Sequence, residues 1–201
     1  DTGGHYLEGS TDITRTVALG EVGNTEKEHF TLVARAMLRL ANTVFLYGCS
    51  GANLDCIARE VFWKEGLNFN HGTGHGVGYL LNIHEGPINF RWKEGERPAP
   101  ALEENMVITD EPGIYIEGSH GIRLENELLV RKTVKNEYGQ FMNFEILTYV
   151  PIDLDAILPE KMSTEEKEML NHYHKQVYEK VSPYLSEEER IWLKEYTRAV
   201  K

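Results

Sequence analysis

The chain has 201 residues, of which 41% are hydrophobic, so it can bury one substantial core and favours one domain with at most an appendage. Its formal net charge is −11, and the 21 basic residues are scattered among 32 acidic ones, which argues against a nucleic-acid partner. Two cysteines are too few for a disulfide framework, so a reducing, cytoplasmic compartment is predicted. The sequence contains no run of roughly 18 apolar residues and no basic-then-apolar leader, so neither a membrane span nor a signal peptide is expected within it.

The first quarter of the chain predicts a β-hairpin followed by a helix. A turn at residues 8–10 separates two short segments, and the second of them, residues 13–17, is typical of a strand. Residues 25–45 carry apolar side chains at helical spacing. Thr25 and Glu28 form the pattern of a capping box, so the helix is expected to begin there.

The next segment predicts a helix, a glycine-rich stretch and a loop. The second helix is expected to follow Asn53 as its N-cap and to end near Gly66. Residues 71–86 are too rich in glycine for a helix, because each helical glycine costs about 1 kcal/mol. Residues 87–104 are polar and contain proline, which predicts a loop.

Strands dominate the following stretch, and the tail is helical. Residues 106–109 predict a strand, and further strands continue to about residue 150, with turns at 117–121 and 135–139. Two later capping boxes predict two more helices separated by Pro183. These boxes are Ser163 with Glu166, and Ser186 with Glu189.

Glu111 and Glu125 flank a turn centred on Gly118, and a hairpin with that centre pairs them directly. Their Cα atoms would then lie about 5 Å apart on one face of the sheet. Like charges at that distance destabilise a sheet unless a positive charge lies between them. A divalent cation between the two carboxylates is the simplest way to neutralise this repulsion.

Asp1 and Asp12 belong to the first hairpin, but its turn signal near Gly9 is not midway between them. A bulge or an asymmetric loop is therefore expected to bring these two carboxylates together.

The glycine-rich stretch contains three histidines within 14 positions: His71, His75 and His84. Glycines allow a backbone to approach a ligand closely, so this cluster favours a functional site over scattered surface histidines. His71 and His75 have the spacing of a zinc pair on a helix, but the glycines argue against a helix, so both need not bind one metal.

Four carboxylates with one imidazole make an oxygen-rich ligand set, which suits Mn²⁺, Co²⁺ or Zn²⁺ better than a thiolate cage would. Four negative charges are balanced by two divalent ions and not by one. Two adjacent metals suit hydrolysis, because they activate water and polarise the carbonyl that it attacks.

Seven segments together resemble the pita-bread metallopeptidases, and within them the Xaa-Pro aminopeptidases of the long, multidomain type. The resemblance covers essentially the whole chain, and its most distinctive motif is the His-Gly-Thr-Gly-His-Gly-Val-Gly run. The segments are residues 1–4, 11–16, 71–78, 82–87, 109–113, 121–126 and 144–148.

The resemblance implies a set of metal ligands. Asp1 would hold one metal, Asp12 and Glu125 would bridge two, and His75 with Glu111 would hold the second. The implied cofactor is a pair of divalent ions, Mn²⁺ first, with Zn²⁺ or Co²⁺ as alternatives.

It also implies catalytic roles. Glu111 would relay a proton from the attacking water to the leaving proline nitrogen. His84 would donate a hydrogen bond to the substrate carbonyl, and His71 would shape the site that accepts proline. Arg123 lies two residues before Glu125, on the same face of an extended strand, and is predicted to contact an acidic ligand.

The implied fold is α+β: an incomplete pita-bread fold with a curved antiparallel sheet flanked by helices. Residues 1–150 would form part of the catalytic domain, and residues 151–201 a C-terminal helical extension that helps the enzyme dimerise. The implied partners are peptides with proline at the second position and a second copy of the chain, with no nucleic acid and no membrane.

Three alternatives stay open. Prolidases, which cut Xaa-Pro dipeptides, are the nearest, although the motif at 71–78 and the tail after Pro151 favour the aminopeptidase. A non-catalytic binding module on the same fold would have lost some ligands, whereas all five positions are present here. An unrelated phosphoesterase would use more histidines in its ligand set.

The family's catalytic domain begins well before its first metal aspartate, which here is residue 1. We therefore expect that the chain is a fragment, lacking among other parts an upstream histidine of the site. An exposed sheet edge would favour self-association, and little activity is expected of the chain alone.

Overall fold

The computed structural model describes residues 1–93, 95 and 98–201, and this part of the chain has the α+β architecture predicted from the sequence. The strands are β1 (Thr2–Tyr6), β2 (Gly9–Ile13), β3 (Phe45–Leu46), β4 (Gly74–His75), β5 (Asn89–Phe90), β6 (Val107–Asp110), β7 (Gly113–Ile116), β8 (His120–Arg123), β9 (Asn126–Asn136) and β10 (Gly139–Ile146). The α-helices are α1 (Asn24–Ala41), α2 (Gly51–Trp63), α3 (Thr164–Val181) and α4 (Glu187–Tyr196).

The central layer is an antiparallel sheet with the strand order β3-β10-β9-β6. Three two-stranded ladders surround it: β1 with β2, β4 with β5, and β7 with β8. Single bridges join Arg15 to Leu124 and Gly76 to Ile108, so the segment after the first hairpin and the glycine-rich stretch both meet the segments that flank the two glutamates.

Helix α1 packs its apolar face onto this sheet and onto α2, and nine of its side chains from Phe30 to Ala41 are buried hydrophobics. The prediction that a capping box at Thr25 opens this helix is wrong. The helix begins one residue earlier, after the extended Gly23, which tolerates the N-cap position without a side-chain hydrogen bond. The predicted end at Phe45 is also wrong, because Phe45 pairs with Met142 in the sheet.

Helix α2 begins at Gly51, and Ser50 is its N-cap, so the predicted cap at Asn53 is wrong by three residues. The Asn53 side chain occupies the third helical position and accepts the backbone N–H of Ser50 at 2.8 Å. Asn53 therefore belongs to the cap of this helix, in the reciprocal position of a capping box.

The two tail helices begin where their capping boxes predict. Ser163 and Glu166 cap α3, and Ser186 and Glu189 cap α4. Between them lies a 3₁₀ turn that contains Pro183. Helix α3 contacts α1 and buries Leu170 and Tyr173 in the main hydrophobic core.

Arg15 connects this tail to the sheet. Its guanidinium donates to Asn126 Oδ1 at 2.6 Å, to Tyr173 Oη at 2.7 Å and to the Val150 carbonyl at 3.1 Å. None of the helices in the described residues has the length and apolar character needed to cross a membrane.

The predicted loop at 87–104 is irregular over most of its described length, but residues 89 and 90 form β5 against β4. Its residues 94, 96 and 97 lie outside the described part of the chain. The glycine-rich stretch contains β4 and, as predicted, residues 71–86 form no helix.

Candidate metal centre

The hairpin that carries Glu111 and Glu125 has the predicted register. The β7–β8 ladder pairs Gly113 with Arg123, and the neighbouring β6–β9 ladder pairs Asp110 with Asn126, so both are centred on Gly118. Glu111 and Glu125 fall opposite each other between the two ladders. Glu125 is almost fully buried, with 1% exposure, and Glu111 is partly buried.

The first hairpin brings Asp1 and Asp12 to one face without the expected bulge, so that expectation is wrong. Its register is regular, with Gly3 opposite Asp12, because the turn lies at Leu7 and Glu8 and not at Gly9. Asp1 lies two residues before Gly3 and shares its face, so the two aspartates are diagonal neighbours.

The short strand β4 places His75 beside the strand that leads to Glu111. A Cβ atom at Gly74 would collide with the Thr109 carbonyl, so only glycine permits this close approach of β4 to β6. The His75 amide donates to Thr109 Oγ1 at 3.0 Å. Gly74 therefore allows the close packing of β4 on β6 that places His75 beside Thr109.

The five candidate ligands converge. Within the described residues, three triads of potential ligand atoms lie within 4.8 Å of one another, and the five candidate ligands make up two of them: Asp1, Asp12 and Glu125, and His75, Glu111 and Glu125. Glu125 belongs to both triads, which is the position of a bridging ligand. Asp12 forms a third such triad with His75 and His84.

His75 is oriented for ligation. Its Nδ1 lies 3.0 Å from the Gly76 carbonyl, which can only accept, so the Nδ1 proton is donated there. In the neutral imidazole the Nε2 lone pair then faces the carboxylates, 3.5 Å from Asp12 Oδ2 and 3.4 Å from Glu111 Oε1. The His84 ring lies edge-on to it, with centroids 4.3 Å apart.

Mutual repulsion and burial raise the proton affinity of the central carboxylates. Burial raises the pKa of Glu125, and the charges of Glu111 and Asp12 raise it further. Burial also raises the pKa of Glu111, an effect that the neighbouring Arg123 opposes. Asp110 is fully buried, and its carboxyl accepts no hydrogen bond from any described residue; burial holds its pKa well above the usual range. A set of close oxygen ligands with unbalanced negative charge fits divalent cations.

Arg123 contacts acidic groups, as predicted from its spacing. Its guanidinium forms an ion pair with Asp1 and lies 3.9 Å from Glu111 Oε2. It also donates to Thr14 Oγ1 at 3.0 Å and to Tyr115 Oη at 3.2 Å. The arginine therefore holds the exposed carboxylate of Asp1 beside the cluster.

Four side chains that support the cluster were not predicted from the sequence. Thr14 donates to Glu125 Oε2 at 2.8 Å, Thr109 lies between the His75 amide and Glu111, and Tyr115 contacts Arg123. Glu127 accepts the Asp12 amide at 2.9 Å, and burial raises its pKa to about 7. Threonines next to motif residues were the available signal for the first two, whereas Glu127 lies on a strand remote in sequence from Asp12.

An open cavity of about 640 Å³ lies over the cluster, and Asp1, His75, His84, Glu111, Tyr115 and Arg123 contribute to its wall. His71 lies on the same wall, half-buried, with Nδ1 2.7 Å from the Gly72 carbonyl. Its Nε2 is buried and has no hydrogen-bond partner among the described residues. Burial lowers the pKa of His71, which favours the neutral ring, in which Nε2 is an acceptor.

Comparison with known proteins agrees with this geometry. The chain is 41% identical over 205 residues to a probable Xaa-Pro aminopeptidase P of Paracoccidioides brasiliensis, an alignment that covers 100% of this chain and 33% of that relative. A probable Xaa-Pro aminopeptidase P of Aspergillus oryzae is 40% identical over 205 residues, and this alignment covers 100% of this chain and 31% of that relative. The chain therefore spans about a third of the curated relatives that it matches.

Solved structures support the pita-bread fold expected from the sequence. X-prolyl aminopeptidase from Caenorhabditis elegans, described as a cytosolic enzyme with a di-nuclear active site, superposes with a TM-score of 0.91 at 37% identity, over 98% of this chain and 32% of that one. The prolidase from Pyrococcus furiosus superposes with a TM-score of 0.59 at 33% identity, over 74% of this chain and 40% of that one.

Family models cover nearly all of the sequence. Residues 140–200 match the C-terminal region of peptidase M24, and residues 1–132 match metallopeptidase family M24. The first of these spans most of β10 and the helical tail, and the second contains the convergent acidic residues and histidines. The chain thus belongs to metallopeptidase family M24.

Proposed function

We propose that this chain carries the metal centre and catalytic side chains of a dinuclear-metal aminopeptidase, which removes an N-terminal residue that precedes proline. The observation that carries the proposal is the sharing of Glu125 between the two ligand triads. A carboxylate shared by two ligand sets can bridge two adjacent metals, and a single metal would leave much of the negative charge of this site unbalanced.

Asp1 would hold one metal, His75 and Glu111 the other, and Asp12 with Glu125 would bridge both. The orientation of the His75 Nε2 lone pair supports its part in this set. When bound, two divalent metals would polarise the scissile carbonyl and lower the pKa of water. We propose Mn²⁺ first, and Zn²⁺ or Co²⁺ as alternatives that the same oxygen-rich set accepts.

Glu111 would move the proton. Glu111 lies in the wall of the cavity over the cluster, where its carboxyl can exchange a proton with the attacking water and with the substrate. The Thr109 hydroxyl, 3.4 Å from Oε1, keeps the carboxyl turned toward the cluster. The carboxyl would take a proton from the attacking water and deliver it to the proline nitrogen as the peptide bond breaks.

His84 and His71 would hold the substrate. His84 is exposed on the cavity wall next to His75, where an N–H can donate to the substrate carbonyl and its developing negative charge. His71 packs edge-on against Tyr115, with centroids 5.4 Å apart, and these two rings make an apolar wall that suits the proline ring.

The organisation of the whole enzyme is part of the proposal. Residues 1–150 would belong to the catalytic domain, and residues 151–201 would form a helical extension that supports a homodimer. The similarity to a relative described as cytosolic supports a cytoplasmic location, and the few cysteines agree with it.

A prolidase that cuts Xaa-Pro dipeptides is the second candidate, because prolidases are among the similar structures. The aminopeptidase is favoured by the tail. The X-prolyl aminopeptidase covers 98% of this chain, whereas the prolidase from Pyrococcus furiosus covers 74% of it.

Metal stoichiometry tests the proposal directly. The purified chain is equilibrated with Mn²⁺ and examined by elemental analysis and calorimetry, and about two ions per chain are expected. Glu125→Gln should lose them, whereas Glu145→Gln, at an exposed position in β10, should not. A folded chain that takes up no divalent metal would refute the metal centre.

Assays with three substrates then distinguish the candidate activities. The Mn²⁺-loaded chain is assayed with a tripeptide that has proline second, with an Xaa-Pro dipeptide and with an aryl phosphate. Turnover is expected to be low but restricted to the tripeptide, and Glu111→Gln should abolish it. Preferential cleavage of the dipeptide would favour the prolidase instead.

A further inference from the structure

A second cavity of about 200 Å³ adjoins the one above the candidate metal centre, and we call it the cationic cavity. His71, Gly72 and Arg91 line both cavities, so a ligand that occupies the metal cavity can continue into the second without crossing the protein interior. The remaining lining residues are Arg59, Asn68, Phe69, Asn70, Trp92 and Lys93.

Helix α2 supplies the floor of this cavity through Arg59. The guanidinium is buried, pairs with Asp55 Oδ2 at 2.7 Å, and donates to Asn68 Oδ1 at 3.1 Å and to the His71 carbonyl at 2.7 Å. Its carbon atom lies 4.0 Å from the centroid of the Phe69 ring. The floor is thus fixed by charged hydrogen bonds that exist without a ligand.

The rim is aromatic and positive. Trp92 packs edge-on against Trp63, with centroids 5.6 Å apart, and the Lys93 ammonium lies 4.8 Å from the centroid of the Trp92 ring. The Arg91 side chain lies close over Gly72, where a Cβ atom would come within 2.9 Å of Nε. Glycine at 72 therefore leaves the space that Arg91 occupies between the two cavities.

The charge of this wall differs from that of the whole chain. The described residues that line the cavity include three cations and no carboxylate, although the net charge of the chain is −11. Asp55 balances Arg59 beneath the floor, whereas Arg91 and Lys93 lie exposed at the rim. A wall of this kind favours a ligand that carries a carboxylate.

His71 lies where the two cavities meet, and one of its ring nitrogens is an acceptor that no described residue uses. Its Nδ1 proton is committed to the Gly72 carbonyl, and its buried Nε2 has no partner among the described residues. Buried acceptors are normally satisfied, so a donor on the ligand is expected here. In a peptide that contains proline, the first backbone N–H after the scissile bond belongs to the residue that follows proline.

We propose that the cationic cavity binds the peptide residues that follow the proline and selects for a carboxylate there. This inference rests on the proposed function, which places the proline beside His71. The His71 Nε2 would accept the first downstream N–H, and Arg91 with Lys93 would bind the carboxylate. That carboxylate is either the C-terminus of a short peptide or an acidic side chain, and both present the same chemistry.

Tryptophan fluorescence measures this binding without metal or turnover, because Trp92 lines the cavity and Trp63 packs against Trp92. The probes are three peptides that begin with proline, as cleavage products would: Pro-Ala-Ala, its C-terminal amide, and Pro-Glu-Ala amide. Each carboxylate peptide should bind about fivefold or more tightly than Pro-Ala-Ala amide. A gain for the first alone identifies a C-terminal carboxylate, and a gain for the third alone identifies an acidic side chain.

Arg91→Met and Lys93→Met should each reduce this preference, whereas Lys135→Met, on the exposed end of β9, should leave it intact. Trp92→Phe should remove most of the signal, which places the ligand in the cavity and not near Trp192. Equal affinities for all three peptides, no detectable binding, or an unchanged preference in both rim variants would overturn the inference. Because these assays contain no metal, their failure is separate from a failure of the metal stoichiometry.

Discussion

The buried ion pair between Asp55 and Arg59 offers a sharp test of how helix α2 holds the histidine-bearing segment. Asp55 is fully buried and accepts three hydrogen bonds, from Arg59 Nε at 2.7 Å, from the Trp92 amide at 2.6 Å and from the Thr73 hydroxyl. Arg59 in turn donates to the His71 carbonyl. One carboxylate therefore contacts both the beginning of the glycine-rich stretch, at Thr73, and the loop that follows this stretch, at Trp92.

Asp55→Asn keeps the shape of the side chain but removes the negative charge. Arg59, which is 2% exposed, would then be a buried charge without its counterion. Removal of one partner of a buried pair costs about 3–5 kcal/mol, and the free energy of unfolding of a typical domain is only about 5–15 kcal/mol. We expect the variant to lose that amount and to bind Mn²⁺ less tightly, because His75 follows the displaced segment.

Urea unfolding followed by circular dichroism gives the free energy of unfolding, and calorimetry gives Mn²⁺ affinity. The matched control is Asp155→Asn, which breaks the exposed ion pair with Arg198 at 3.2 Å and should cost about 0–1 kcal/mol. If Asp55→Asn lowers the free energy of unfolding by no more than Asp155→Asn does, the buried pair does not hold this segment as we argue.

Two further predictions concern packing and pH. Gly74→Ala should destabilise the protein by about 3 kcal/mol or more in urea and abolish Mn²⁺ binding, because its Cβ would strike the Thr109 carbonyl; Gly86→Ala, with open space around it, should do neither. Burial lowers the pKa of His174 from 6.5 to about 4, so the unfolded state binds more protons between these values and stability falls as the pH drops through them. Between about pH 7 and about pH 5 the loss should be about 2 kcal/mol, and His174→Gln should flatten it; an equally steep loss in the variant would exclude His174 as its source.

Features set by neighbours in sequence were the predictable ones. The capping boxes at Ser163 and Ser186 lie within one helical turn, and both helices begin where these serines indicate. The register that pairs Glu111 with Glu125 follows from a single turn at Gly118, whose positive φ of 71° suits glycine.

Features set by remote partners were not predictable in this way. Phe45 continues the helical spacing of α1, yet it leaves the helix to pair with Met142 almost a hundred residues later. Thr25 has the same local pattern as Ser163, but the chain enters the helix after Gly23, and nothing in the capping pattern distinguishes the two cases. The aspartates of the first hairpin were misjudged because Gly9 lies beside the turn and not within it.

The candidate ligand set came from the resemblance, because no periodicity connects Asp12 to His75. The structure supplies the physical connection through backbone amides. The Asp12 amide donates to Glu127, on the strand after Glu125, and the Glu125 amide donates to the Thr14 carbonyl at 3.0 Å, next to the first hairpin. The segment around Glu125 therefore helps to orient Asp12, and the segment around Asp12 helps to orient Glu125.

The second pair of segments repeats this reciprocity. The His75 amide donates to Thr109 Oγ1, and the Glu111 amide donates to the Thr73 carbonyl at 2.7 Å. Since the Gly118 hairpin fixes Glu111 opposite Glu125, the two pairs form one backbone framework. Two of the four bonds, from Glu125 to Thr14 and from Glu111 to Thr73, join backbone atoms and do not depend on the charge of the side chains, so they help to hold the carboxylates together against their repulsion. The cluster is thus assembled by folding, and a metal that binds there gains the electrostatic energy without the entropic cost of collecting its ligands.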